Sequence, residues 1–204
     1  METYIIILLC IASFIAGFVD AIVGGGGLIQ TPAALILLPA QSVATIIGTL
    51  KIPAFSGTSI ATYQYLKQVK INWKLFAVMA IVSFTFAYLG SSLLNVTKND
   101  FMKPLLFVIL ILLLIYTYFK KDFGQFQSSN MSMKQQYVYA IIISIVIGFY
   151  DGFIGPGTGS LLIMAFIAFL GFDFMQASAT AKLVNLATNI GSTTLLVLKG
   201  KIIW

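Results

Sequence analysis

The chain has 204 residues, 59% of them apolar and only 9% charged, with a mean hydropathy of +1.00. A soluble domain carries about 25% charged residues, so a water-facing surface cannot be covered here and a soluble globule is excluded. The net charge of +6 sits mostly on lysines between apolar segments, which fits positive-inside topology rather than nucleic-acid binding.

The apolar segments, in chain order, are 4–23, 28–38, 42–66, 75–95, 104–119, 137–154, 156–171 and 174–198. At about 20 residues per helical crossing, the length has room for roughly seven or eight spans. The first segment follows an acidic start (Met1-Glu2-Thr3-Tyr4) without the basic region of a secretory signal, so 4–23 reads as a permanent membrane segment. Segments 28–38 and 156–171 are short and follow glycine-rich breaks, which predicts re-entrant segments or the second halves of broken helices. Segment 104–119 is almost all Leu, Ile, Val and Phe and reads as the most lipid-facing helix. Polar breaks fall at Lys67–Lys74, Val96–Lys103 and Lys120–Gln136, the last without predicted structure. Loops 67–74 and 120–136 each hold three lysines, which favours the cytoplasmic side for both but leaves the topology, and whether the repeats are parallel or inverted, open. The predicted fold is an all-α integral membrane bundle forming a single transmembrane domain over 1–204.

Residues 17–73 align without a gap on residues 148–204. The thirteen identities include Asp20/Asp151, Gly24/Gly155, Gly26/Gly157, Thr49/Thr180, Lys51/Lys182 and Trp73/Trp204. Chance similarity between apolar segments would match Leu with Ile, not Asp with Asp and Lys with Lys. The chain therefore reads as two internal repeats, 1–135 and 136–204. Segments 75–95 and 104–119 have no counterparts after Trp204, so repeat two reads as truncated, with two C-terminal spans missing. Alternatively the short form is natural and recruits a partner subunit or self-associates.

Each repeat opens with an acid and a break: Asp20 before Gly24-Gly25-Gly26-Gly27, and Asp151 before Gly155-Pro156-Gly157-Thr158-Gly159. Each glycine costs about 1 kcal/mol in a helix relative to Ala, and Pro156 removes an amide donor. Unwound backbone survives at membrane depth only where protein or water satisfies it, so both breaks should face inward. The half-helix after each break presents free N–H groups and a positive dipole end, suited to an anion. Paired discontinuous helices point to a transporter binding site; close helix packing through small residues is the alternative. Lys51 and Lys182 are embedded among apolar and small residues, where a charge costs roughly 2.5–3.5 kcal/mol and needs a partner. The acid that opens the same repeat is the expected partner, Asp20 for Lys51 and Asp151 for Lys182. These pairs either lock the bundle, or let each lysine ligate an anion while an aspartate carries a coupled proton. Asn185 and Asn189 share a helix face with Lys182, and Thr45, Thr49, Ser56, Thr58 and Ser59 surround Lys51. Trp73 and Trp204 each follow a lysine by three residues, as interfacial anchors do.

His is absent, Cys10 is the one cysteine, and every basic residue is Lys. Haem, iron–sulfur and zinc-hydrolase chemistry lack their ligands, and no cofactor or metal is expected. Without Arg, an anion must be held without a guanidinium fork. Three classes stay open: an ion-gradient-driven secondary transporter of a small anion, a passive anion or proton channel, and, least favoured, a membrane-embedded enzyme using the aspartates.

The motifs Gly17-Phe18-Val19-Asp20 through Gly27-Leu28-Ile29, and Gly148-Phe149-Tyr150-Asp151-Gly152 with Gly155-Pro156-Gly157-Thr158-Gly159, resemble those of the TauE/SafE sulfite exporter family. So do Ala179-Thr180-Ala181-Lys182-Leu183-Val184-Asn185 and Gly200-Lys201-Ile202-Ile203-Trp204. The resemblance spans essentially the whole chain. It implies a multi-pass protein of the bacterial cytoplasmic membrane that exports small anions such as sulfite or organosulfonates. The residues singled out for substrate are Gly24, Gly25, Gly26, Gly27, Lys51, Gly155, Gly157, Thr158, Gly159, Lys182, Asn185 and Asn189, with Asp20 and Asp151 coupling or pairing.

Overall fold

The computed structural model describes residues 3–23, 25–119 and 132–204. Among these are eight helices and no strand: α1 Thr3–Val23, α2 Gly27–Leu37, α3 Val43–Leu66, α4 Trp73–Val96, α5 Asn99–Phe119, α6 Met133–Phe153, α7 Thr158–Leu170 and α8 Phe174–Leu198. The all-α membrane architecture is as expected. Among the described residues, α1, α3, α4 and α6 are long and apolar enough to cross a membrane. At 25 residues α8 has the length, but it is also the helix that carries Lys182, Asn185 and Asn189.

Local chemistry sets most boundaries. Ser42, Asn72 and Asp173 accept the third backbone N–H of α3, α4 and α8, satisfying a donor that a helix start leaves free. At α6, Ser132 and Gln135 form a reciprocal capping box. That box starts α6 at Met133, inside a stretch expected to lack structure; residues 120–131, the rest of that loop, lie outside the described residues. Helix α5 begins at Asn99, five residues before the expected start at Pro104, with Asp100 in its first turn where a negative charge suits the helix dipole. By contrast α2 and α7, 11 and 13 residues long, have glycine at the N-cap and no side-chain cap. Several of their first amides donate to carbonyls of the breaks themselves, Leu28 to Gly25, Ile29 to Gly26 and Thr158 to Gly155.

Small residues let the central helices approach closely. A Cβ on Gly152 would fall inside the Ala87 backbone, one on Gly90 inside that of Phe149, and one on Gly191 inside that of Phe84. Helix α4 thus lies against both α6 and α8, the small-residue contact that membrane helices favour. Ser91 on α4 donates to the Gly152 carbonyl at 2.9 Å. Leu75, Met79, Ile143, Leu162, Phe166 and Val184 form one core between α4, α6, α7 and α8. Val43, Ile47, Leu94, Met102 and Leu106 form a second between α3, α4 and α5. Helix α1 lies outside both, and Phe14 and Phe18 on it are exposed. Helix α5, expected to face lipid, likewise exposes Phe107, Ile111, Leu112, Leu114 and Ile115.

Candidate functional site

The two breaks meet. A Cβ on Gly27, the first residue of α2, would lie 3.1 Å from Pro156 Cα in the second break, and one on Gly157 would lie 3.5 Å from Leu28. The uncapped starts of α2 and α7 therefore sit side by side. Gly155 and Gly157 take left-handed φ values of 92° and 79°, a conformation that a Cβ would strain. The Tyr150 hydroxyl donates to the Pro156 carbonyl at 2.6 Å and fixes the turn from the end of α6.

Both lysines are buried, at 5% exposure for Lys51 and 4% for Lys182, and both are paired. The pairing differs from the expected one. Lys51 on α3 donates to Asp151 on α6 at 2.7 Å, and Lys182 on α8 donates to Asp20 on α1 at 2.8 Å. Each lysine thus meets the acid of the other sequence segment, because the breaks adjoin and bring the end of each long helix against the opposite lysine helix.

The surroundings of the two pairs are unequal. The Thr158 hydroxyl lies 2.7 Å from the second oxygen of Asp151 and 2.6 Å from the Gly155 carbonyl, which share its one proton, and the Lys51 ammonium also reaches Asn189 Oδ1 at 3.3 Å. Asn189 in turn donates to Thr58 at 3.4 Å. Four helices thereby converge on this pair. Asp20 accepts the Gly26 amide at 3.3 Å, and Lys182 also reaches the Asp20 backbone carbonyl at 3.2 Å. The Asp20 side chain keeps 34% of its surface, against 3% for Asp151.

A cavity of about 400 Å³ is bounded by both breaks and both ion pairs. Of the residues singled out in the sequence, Asp20, Gly26, Gly27, Lys51, Asp151, Gly155, Gly157, Thr158, Gly159, Lys182, Asn185 and Asn189 line it. Gly25 is buried behind the wall and does not line it. Gly24 lies outside the described residues. Thr58 lines the wall; Thr45, Thr49, Ser56 and Ser59 do not. Ser13, Gln30 and Thr31 line the cavity without having been singled out. Gln30 donates to Ser13 at 3.0 Å, tying α2 to α1. A glutamine in an otherwise apolar 11-residue helix was the available signal for it. Thr31 is buried, at 4% exposure.

Such a chamber combines two cations, two compensating carboxylates and two uncapped helix starts in a low-dielectric surround. Lysine ammonium groups and helix starts are the kinds of group that bind anions, and here both ammoniums are neutralised by carboxylates. The sequence was compared with known families and proteins. Residues 9–204 match the family described as "Sulfite exporter TauE/SafE". A "Probable membrane transporter protein ORF9" of Sinorhizobium is 34% identical over 203 residues, covering 98% of this chain and 76% of the relative. A "Probable membrane transporter protein" of Haemophilus influenzae is 35% identical over 199 residues, 97% and 76% of the two chains. The "Probable membrane transporter protein YfcA" of Escherichia coli K12 is 31% identical over 192 residues, 94% and 70%. No solved structure matches the chain. On the extent of the family match and the identity to these relatives, the chain belongs to the sulfite exporter TauE/SafE family.

Proposed function

We propose that the protein is a secondary transporter of a small anion, sulfite or an organosulfonate, moved outward across the bacterial cytoplasmic membrane and coupled to an ion gradient. The observation that carries this reading is the placement of two buried lysines at two adjoining helix breaks around one cavity. Substrate oxygens would take N–H groups at the starts of α2 and α7 together with the Lys182 ammonium, with Asn185 and Asn189 completing the polar wall. Because both cations are already neutralised by carboxylates, an incoming anion competes with a carboxylate for its lysine. That competition links binding to a rearrangement, which a transporter needs and a fixed pore does not. The names of the relatives, all membrane transporters, support the same class. The reciprocal lysine–aspartate contacts further support a duplicated unit, with 17–73 and 148–204 as equivalent halves.

The test is flux in proteoliposomes containing the full chain, with sulfite and short alkanesulfonates loaded inside and a pH gradient imposed. Wild-type protein is expected to release at least one of these anions in a gradient-dependent way, and Lys182→Ala to abolish the release while still inserting into the bilayer. Wild-type flux in Lys182→Ala would overturn the site, and gradient-independent conduction would favour a channel.

A further inference from the structure

The two ion pairs share a composition but not a setting. Both residues of Lys51–Asp151 line the cavity yet are buried; Asp151 shares the Thr158 hydroxyl with the Gly155 carbonyl, and Lys51 has a second acceptor in Asn189. In Lys182–Asp20 the carboxylate is one-third exposed, and among the described residues its other oxygen meets only the Gly26 amide, at 3.3 Å. The residue aligned with Thr158 is Gly27, so the hydroxyl that fixes Asp151 has no equivalent beside Asp20.

Resting on the reading of this cavity as an anion site, we propose that the pairs divide the work. Lys51–Asp151 stays closed and holds the breaks together. Lys182–Asp20 opens, and its carboxylate leaves as the protonated acid when a substrate anion takes its place on Lys182. Charge balance dictates the proton. With the pair closed, Lys182 and Asp20 sum to zero. An anion on Lys182 beside an ionised Asp20 leaves one surplus negative charge in a low-dielectric chamber, an expensive state at membrane depth. One proton from the water reaching the cavity, taken by a carboxylate oxygen of Asp20, restores neutrality: ammonium with anion, and carboxylic acid alone. Return without substrate requires the acid to give that proton back and re-form the pair. Proton and anion therefore cross together, and net efflux occurs where the outward anion gradient exceeds the inward proton gradient.

Among the described residues, no other ionisable side chain competes for this role. Asp20 faces Lys182 from α8; α2 and α7 contain no ionisable residue, and the remaining charges lining the cavity are Lys51 and Asp151.

The experiment measures anion binding and proton uptake together, using the full chain in nanodiscs in weakly buffered solution. Methanesulfonate is the probe, because it is permanently ionised and contributes no proton of its own. Wild-type protein is expected to take up about one proton per anion bound. Asp20→Asn is expected to bind with no uptake and with an affinity that no longer varies with pH. Binding without uptake in the wild type, or uptake that survives in Asp20→Asn, would overturn the proposal. Should the wild type bind no methanesulfonate, the anion reading of the cavity fails for this probe, and thermal unfolding judges the division of the pairs. Asp151→Asn and Thr158→Val should then each lower the melting temperature more than Asp20→Asn does; equal or reversed shifts would overturn it.

Discussion

The first helix break consists of glycines alone, while the second reads Gly155-Pro156-Gly157-Thr158, and the two use glycine for different reasons. In the second break, Gly155 and Gly157 adopt left-handed backbone. In the first, Gly26 keeps a right-handed φ of −55°. There the absence of a side chain serves close approach: a Cβ on Gly26 would collide with the Ala16 carbonyl, and one on Gly27 would press on Pro156. Glycine therefore turns the chain at one break and lets the other break nest against it. The second break also supplies a hydroxyl, through Thr158, where the first supplies none. One substituent thus separates a closed ion pair from one that opens.

The largest effect that tests this contrast comes from removing one lysine at a time. Lys51→Met leaves Asp151 buried and unpaired, a change that destabilises by about 3–5 kcal/mol. Lys182→Met leaves Asp20, whose side chain retains 34% exposure, so its melting temperature should fall less. Thermal unfolding of the two variants in the same nanodiscs checks the order, and a larger loss for Lys182→Met would break the comparison. A smaller effect concerns the long helices before the breaks. Gly148 on α6 lies against α4, where a Cβ would be 3.0 Å from Ser83, whereas Gly17 at the aligned position of α1 has no neighbour within 4 Å. Gly148→Ala should lower the melting temperature. Gly17→Ala should leave it unchanged or raise it, since alanine favours the helix over glycine by up to about 1 kcal/mol.

Much of the fold was legible because membrane burial makes apolar length the dominant signal. Eight apolar segments became eight helices, and most boundaries fell within a few residues of those expected. The exceptions have local causes: the Ser132–Gln135 capping box extends α6 toward its start, and α5 begins five residues before Pro104, with Asp100 in its first turn. The residues of the site were legible too, since a lysine or an aspartate inside an apolar segment requires a function or a partner. Which acid pairs with which lysine was not. Spacing along the chain favours the acid of the same segment, whereas the observed partners are set by the contact of Gly27 with Pro156 and the crossing of helices around it. Gln30, Ser13 and Thr31 escaped for a related reason, because a lone small polar residue in a membrane helix carries no sign of which way it faces.

The crossed pairing is the claim on which the site, the competition and the coupling all depend. A double-mutant cycle on thermal stability tests it most directly, with Lys51→Met and Asp151→Asn combined in one variant and Lys51→Met and Asp20→Asn in another. The account predicts a coupling energy above about 1 kcal/mol for Lys51 with Asp151, and near-additive effects for Lys51 with Asp20. Strong coupling between Lys51 and Asp20, with additivity between Lys51 and Asp151, would contradict it.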